Sequence, residues 1–171
     1  MRNSMGKSNT LKSIDLDEEI EKRNRRMDSE FKANLKLEGF SERIDKQLLG
    51  EFYAPDKIME NNDTVIFFES SSTGDRKVHI GELTQFLSYV NSGIETKKNI
   101  YYVLFLCGNS KSSPTVEKEY DRLRYYFENN TMKNSERNKI KGIYIANQND
   151  VDISKLTLSQ IKDFKRIDTY E

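Results

Sequence analysis

Asp56-Lys57-Ile58-Met59-Glu60-Asn61-Asn62-Asp63-Thr64-Val65-Ile66-Phe67-Phe68-Glu69 is the stretch that decides how this chain is read. Two strand-like runs flank a pair of asparagines. Asparagine tolerates the positive φ of a type I′ turn, so a tight hairpin is expected there. In that register Met59 faces Thr64, Ile58 faces Val65, Lys57 faces Ile66 and Asp56 faces Phe67. Side chains alternate with period two, so Phe67, Glu69 and Ser71 share a face with Asp56. Asp56 and Glu69 are then diagonal neighbours, their Cβ atoms roughly 7 Å apart or less. That gap suits a divalent cation held between two carboxylates. Two acids merely facing water at strand ends are the competing reading, and a bulge would flip the parity and part them.

Working outward, 171 residues suit one domain with length enough to bury a core. Apolar residues make up 35% and charged residues 33%, so a modest core lies under a heavily charged surface. No run approaches a membrane span, and no signal peptide is visible at Met1-Arg2-Asn3-Ser4. The single cysteine, Cys107, excludes an internal disulfide and suits a reducing, cytoplasmic setting. It closes the apolar run Tyr101-Tyr102-Val103-Leu104-Phe105-Leu106 and reads as a small buried hydrophobe. One histidine makes zinc-type ligation or a Ser–His pair a poor expectation. Net charge is zero, yet residues 51–95 hold eight acids against Lys57, Arg76 and Lys77, while residues 96–142 hold ten bases against five acids. An acidic centre beside basic flanks suits a cation site next to a polyanion. A strongly basic DNA-coating protein is excluded.

Residues 1–13 are polar and aperiodic, which predicts disorder. From Ile14 to Leu37 acids precede bases, which favours a helix, but apolar positions are sparse and the helix reads as solvated or awaiting a partner. A second helical piece is expected from Ser41 to Leu49, ending at Gly50. Beyond the hairpin, a helix over residues 79–90 carries the stripe Ile80, Leu83, Leu87 and Val90, with Glu82, Gln85 and Tyr89 on another face. His79 near its start reads as a surface or capping residue. A central strand over residues 100–107 follows, then a helix capped by Ser113 with Val116, Tyr120, Leu123 and Phe127 inward. Ile143-Tyr144-Ile145-Ala146 is a further strand, and Thr157-Leu158-Ser159-Gln160 matches a capping box. Such alternation is an α/β domain with a mixed sheet. A tail and charged helix over 1–37 are expected to precede that domain over 38–171. No glycine-rich phosphate loop supports a nucleotide-binding alternative.

This order of elements, with these residues, resembles the PD-(D/E)xK nuclease superfamily. Pro55-Asp56 matches the first half of the motif, Glu69 the acid on the next strand, and Gln85-Phe86-Leu87-Ser88-Tyr89 looks like the Gln-x3-Tyr motif of the RecB-like branch. The resemblance covers roughly residues 40–107. It implies a restriction-endonuclease-like core, a central mixed sheet flanked by helices, with an N-terminal helical extension. It implies Asp56 and Glu69 as ligands of Mg²⁺, with Mn²⁺ as a substitute, and a metal-activated water that attacks a phosphodiester in line. Gln85 and Tyr89 would join the site, and Glu38 or Glu42 could add a carboxylate from the preceding helix. The chain departs from the pattern where the family has its lysine, for that position is Ser71. Either a cation migrates in from the loop, Lys77 or Arg76 being near in sequence, or catalysis has been lost. The expected function is a Mg²⁺-dependent DNA endonuclease of a restriction or phage-defence system, with DNA as partner and no membrane. A homodimer or larger nuclease complex stays open, and a catalytically inactive nuclease-fold subunit that binds nucleic acid or a protein partner is the rival.

Overall fold

The computed structural model describes residues 19, 22, 26, 27, 29–107 and 114–168. Within them the hairpin forms from β2 (Lys57–Glu60) and β3 (Thr64–Ser71), paired antiparallel. Its turn is longer than a type I′ pair. The Asn61 side-chain oxygen accepts the N–H groups of Asp63 and Thr64 at 3.2 and 3.0 Å, while the Asn61 N–H donates to the Thr64 carbonyl at 2.9 Å. This Asx arrangement needs no positive φ at either asparagine, and neither adopts one. Glu60 therefore pairs with Val65 and Ile58 with Phe67, two residues away from the expected register. An even shift preserves parity. Asp56 and Glu69 stay on one face, directly opposite each other instead of diagonal.

The remaining strands are β1 (Ser41–Glu42), β4 (Asn99–Leu106), β5 (Ile140–Asn147) and β6 (Lys165–Arg166). They complete a six-stranded sheet in chain order, parallel across β3, β4 and β5 and antiparallel elsewhere. The helices are α1 (described over residues 29–34), α2 (Arg76–Ser92), α3 (Val116–Glu128), α4 (Asn134–Arg137) and α5 (Leu158–Lys162). The protein is thus α/β, an open mixed sheet flanked by helices. Crossovers β3–α2–β4 and β4–α3–β5 advance the same way across the sheet, and a common hand places both helices on one face. There Leu83, Phe86 and Leu87 of α2 and Leu123 and Phe127 of α3 bury against Val65, Phe67 and Tyr102. Phe31, Leu35, Leu156 and Ile161 cover the opposite face, against Ile66, Phe68 and Phe105. β4 is buried on both sides from Ile100 to Leu106, as a central strand in a covered sheet should be. Cys107 is buried beside it. Among the described residues no helix is long and apolar enough to cross a membrane.

Three expectations are corrected here. The helix over residues 41–49 does not form. Ser41 and Glu42 pair with Glu60 and Met59 as an edge strand, because this segment has too few apolar side chains to seat a helix and β2 offers unpaired backbone groups. Nor is α1 merely solvated. Phe31 and Leu35, one turn apart, are 0% and 1% exposed, and the Phe31 ring lies 5.7 Å from that of Phe105. The expected division at residue 37 therefore runs through one packed unit, in which Leu37 also bridges to Leu156. Thr115, not Ser113, caps α3 through the Lys118 N–H; Ser113 lies outside the described residues, as do residues 1–13 and much of the basic run after Lys22.

The capping box holds and α2 ends two residues past the expected bound, but it starts at Arg76, three residues before the expected His79. Asp75 accepts the Lys77 N–H at 2.9 Å to start α2, and Gly93 ends it at φ 78°, the left-handed conformation that favours glycine. The capping box is formed, with the Thr157 side chain accepting the Gln160 N–H and Gln160 accepting the Thr157 N–H. Thr157→Ala is expected to cost about 1 kcal/mol, read as a fall of roughly 2–4 °C in melting temperature.

Candidate active site

Asp56 enters β2 and Glu69 nears the end of β3, so the hairpin brings them together at its open end. The Asp56 N–H donates to Glu69 Oε2 at 3.2 Å, and the Ser70 N–H donates to Asp56 Oδ2 at 2.8 Å. Both acids line an open cleft of about 440 Å³ together with Ser71, Glu82 and Gln85. The third carboxylate is thus Glu82, from α2. Glu38 lines a separate pocket and Glu42 pairs with Lys46 and Lys57, so neither supplies it; both lost their place when the expected helix became an edge strand. Glu82 stands one helical turn before Gln85, a spacing visible in the sequence.

Three acids in one cleft disturb one another. Burial holds the Glu69 carboxyl well above the usual carboxylate range, and the charges of Glu82 and Asp56 push it further. Glu82 is raised to about 8 by burial and then by Asp56. Beneath them Tyr53 is raised by burial and by the neighbouring charge of Glu69. Glu82 Oε2 and the Tyr102 hydroxyl are buried without a hydrogen-bond partner, which is costly for polar atoms out of water. Hard oxygen donors with surplus negative charge are the donor set that Mg²⁺ takes. Among the described residues no three His, Cys, Asp or Glu side chains stand together closely enough to hold a metal ion as arranged. The fit is one of chemistry, with Asp56 and Glu69 tied to each other's strands by the Asp56 N–H and Ser70 N–H bonds.

The other expected residues divide. Ser71 ends β3 on the cleft wall, and exposed Gln85 reaches its rim. Tyr89 does not reach the cleft. It is buried against Phe67 and Tyr53, and its hydroxyl donates to Glu95 at 3.1 Å. Burial and then Glu95 raise that phenol to about 12. Lys77 is exposed at the start of α2 and lines a different groove with Leu49, Phe52 and Tyr126. The cation at the acids is Lys32 of α1, whose Nζ lies 3.0 Å from Asp56 Oδ1. No local signal in the sequence marks Lys32, since only docking of α1 on the sheet brings it there. His79 is no surface residue, and the Ser–His pair that a single histidine made a poor expectation is present: the ring is 0% exposed, between Ser71 and Glu119, because the first turn of α2 packs it against the end of β3. Comparison with protein-family profiles, curated proteins and solved structures yields no match to this chain.

Proposed function

We propose that this chain is a Mg²⁺-dependent DNA endonuclease built on a restriction-endonuclease-like core. The observation that carries the reading is the meeting of Asp56 and Glu69 on one face at the open end of the hairpin, with Glu82 beside them. The sheet changes from antiparallel to parallel at β3, so the end of β3 is open beside the start of β2. The order of hairpin, helix and central strand also agrees with the resemblance. When bound, the ion would supply charge neutralisation at the phosphodiester and activation of a water. Asp56 and Glu69 would hold it through oxygen, with Glu82 adjoining. Lys32 provides the positive charge that Ser71 cannot, and exposed Gln85 is placed to meet the DNA backbone at the rim. DNA is the proposed partner, a restriction or phage-defence system the proposed setting, and a homodimer the simplest way to cut both strands.

The test is incubation of the purified chain with plasmid and linear DNA in Mg²⁺ or Mn²⁺. Cleavage that stops in EDTA and is missing in Asp56→Ala is the expected result; equal cutting in all three sinks the proposed site. A narrower expectation separates the two candidate cations. Lys32→Ala should lower the cleavage rate about tenfold or more, as loss of a charge-stabilising donor does, while Lys77→Ala should change it less than about twofold. The reverse ranking would return the role to Lys77. One observation favours the rival of an inactive nuclease-fold subunit: Lys32 already offsets the charge of Asp56. That rival predicts no cleavage and a melting temperature indifferent to Mg²⁺.

A further inference from the structure

Ser71 lines the acidic cleft, and behind it runs a buried chain of polar side chains. His79 Nε2 lies 2.9 Å from Ser71 Oγ, and His79 Nδ1 lies 3.0 Å from Glu119 Oε2. Arg122 donates to both Glu119 oxygens, at 2.7 and 2.8 Å. Ser71, His79 and Glu119 are 4%, 0% and 4% exposed, so the chain is sealed from solvent except where Ser71 meets the cleft. Three elements build it: the end of β3, the first turn of α2, and α3.

The donor and acceptor inventory orients every proton in this chain. A carboxylate can only accept, so the ring proton facing Glu119 belongs on Nδ1. In the neutral ring Nε2 is then an acceptor, and the Ser71 hydroxyl must donate to it. The lone pairs of Ser71 Oγ then remain available to accept, and Ser71 lines the cleft. Ser71 occupies the sequence position that the family gives to a water-orienting lysine.

We propose that Ser71, His79 and Glu119 form a proton relay that takes over the lysine's water-orienting task, an inference that rests on the nuclease reading. As the attacking water oxygen bonds to phosphorus, its O–H bond breaks and the proton joins Ser71 Oγ. Ser71 passes its own proton to His79 Nε2, and Glu119 holds the imidazolium. The phosphorus–oxygen bond to the leaving strand breaks, and that oxygen takes a proton from solvent. No oxidant or reductant is needed. Ser71 touches the water, whereas His79 and Glu119 act through it as positioning residues.

His79 is the only histidine, so ¹⁵N-histidine labelling of the full chain gives a spectrum of two ring nitrogens. The expected result is the Nδ1–H tautomer, with the Nε2 resonance shifted in Ser71→Ala. In cleavage assays Ser71→Ala and His79→Gln should each lower kcat about 100-fold, with KM for DNA nearly unchanged. Ser71→Ala removes one oxygen and should keep a melting temperature within a few degrees of wild type, which separates the relay from a folding role. A neutral ring protonated on Nε2 overturns the relay, as does a fully active Ser71→Ala in a cutting wild type. A wild type that cuts no DNA overturns the nuclease reading and the relay's task with it.

Discussion

Glu69→Gln is expected to raise the melting temperature of the metal-free protein while reducing Mg²⁺-dependent cleavage at least 1000-fold. The two effects oppose each other because the same carboxyl is a burden without an ion and a ligand with one. Glu69 is 5% exposed and faces the charges of Glu82 and Asp56. Its hydrogen-bond donors are the Asp56 N–H, at 3.2 Å, and the Tyr53 hydroxyl, too few to offset that burial. Glutamine keeps the shape, and its amide oxygen can still accept that N–H. What disappears is the cost of a buried charge beside like charges, so the folded state gains and the melting temperature rises. Catalysis would fall because a neutral amide is a far weaker partner for Mg²⁺ than a carboxylate. Differential scanning fluorimetry in EDTA and gel-based cleavage in Mg²⁺ read the two signs. A structural glutamate would give the opposite stability change, so a melting temperature that falls, with cleavage intact, removes Glu69 from the site.

How far this site could be read from the chain depends on the range of the interactions that build it. The face shared by Asp56 and Glu69 follows from period-two alternation, a local rule that survives an even shift in register. The turn itself was misjudged, because the Asn61 side chain bonds to the backbone of Asp63 and Thr64 and lengthens the loop. The cap of α5 is a short-range signal and stands as expected, and α2 stops at Gly93, close to its expected end at residue 90. The helix over residues 41–49 failed for the converse reason: an edge of β2 was available, and only the assembled sheet reveals that. Lys32 and the Ser71–His79–Glu119 chain depend on docking between elements. His79 and Glu119 are forty residues apart, and no periodicity links them. A lone histidine and an i,i+3 Glu119–Arg122 pair on an otherwise apolar helix stripe were the only hints. Tyr89 shows the limit of motif matching: its spacing from Gln85 fits, but its side chain packs in the core with Phe67.

The stability of the metal-free protein is expected to fall as pH rises from about 5 to about 8, and Mg²⁺ is expected to cancel that fall. Glu82 is raised to about 8 in the folded protein, and Glu69 is displaced in the same direction. An unfolded glutamate titrates near 4.3. Between the two values the folded state holds a proton that the unfolded state has lost, so stability declines with pH, at up to about 1.4 kcal/mol per unit for one such group. The Glu82 contribution is complete below the unfolded value and is gone once pH passes about 8. Shielding and relaxation reduce the total to an order of a few kcal/mol, which is still several degrees of melting temperature. Mg²⁺ competes with these protons. At pH 8 an ion concentration about 100 times its Kd adds about 2.7 kcal/mol, while at pH 5.5 the same concentration should add little, because the proton already neutralises the cleft. Melting curves at half-unit pH steps, with and without Mg²⁺, separate the two terms, and Glu82→Gln should flatten the metal-free curve. A metal-free stability that rises across this interval, or a Mg²⁺ effect no larger at pH 8 than at pH 5.5, would mean that the three acids do not share one ion.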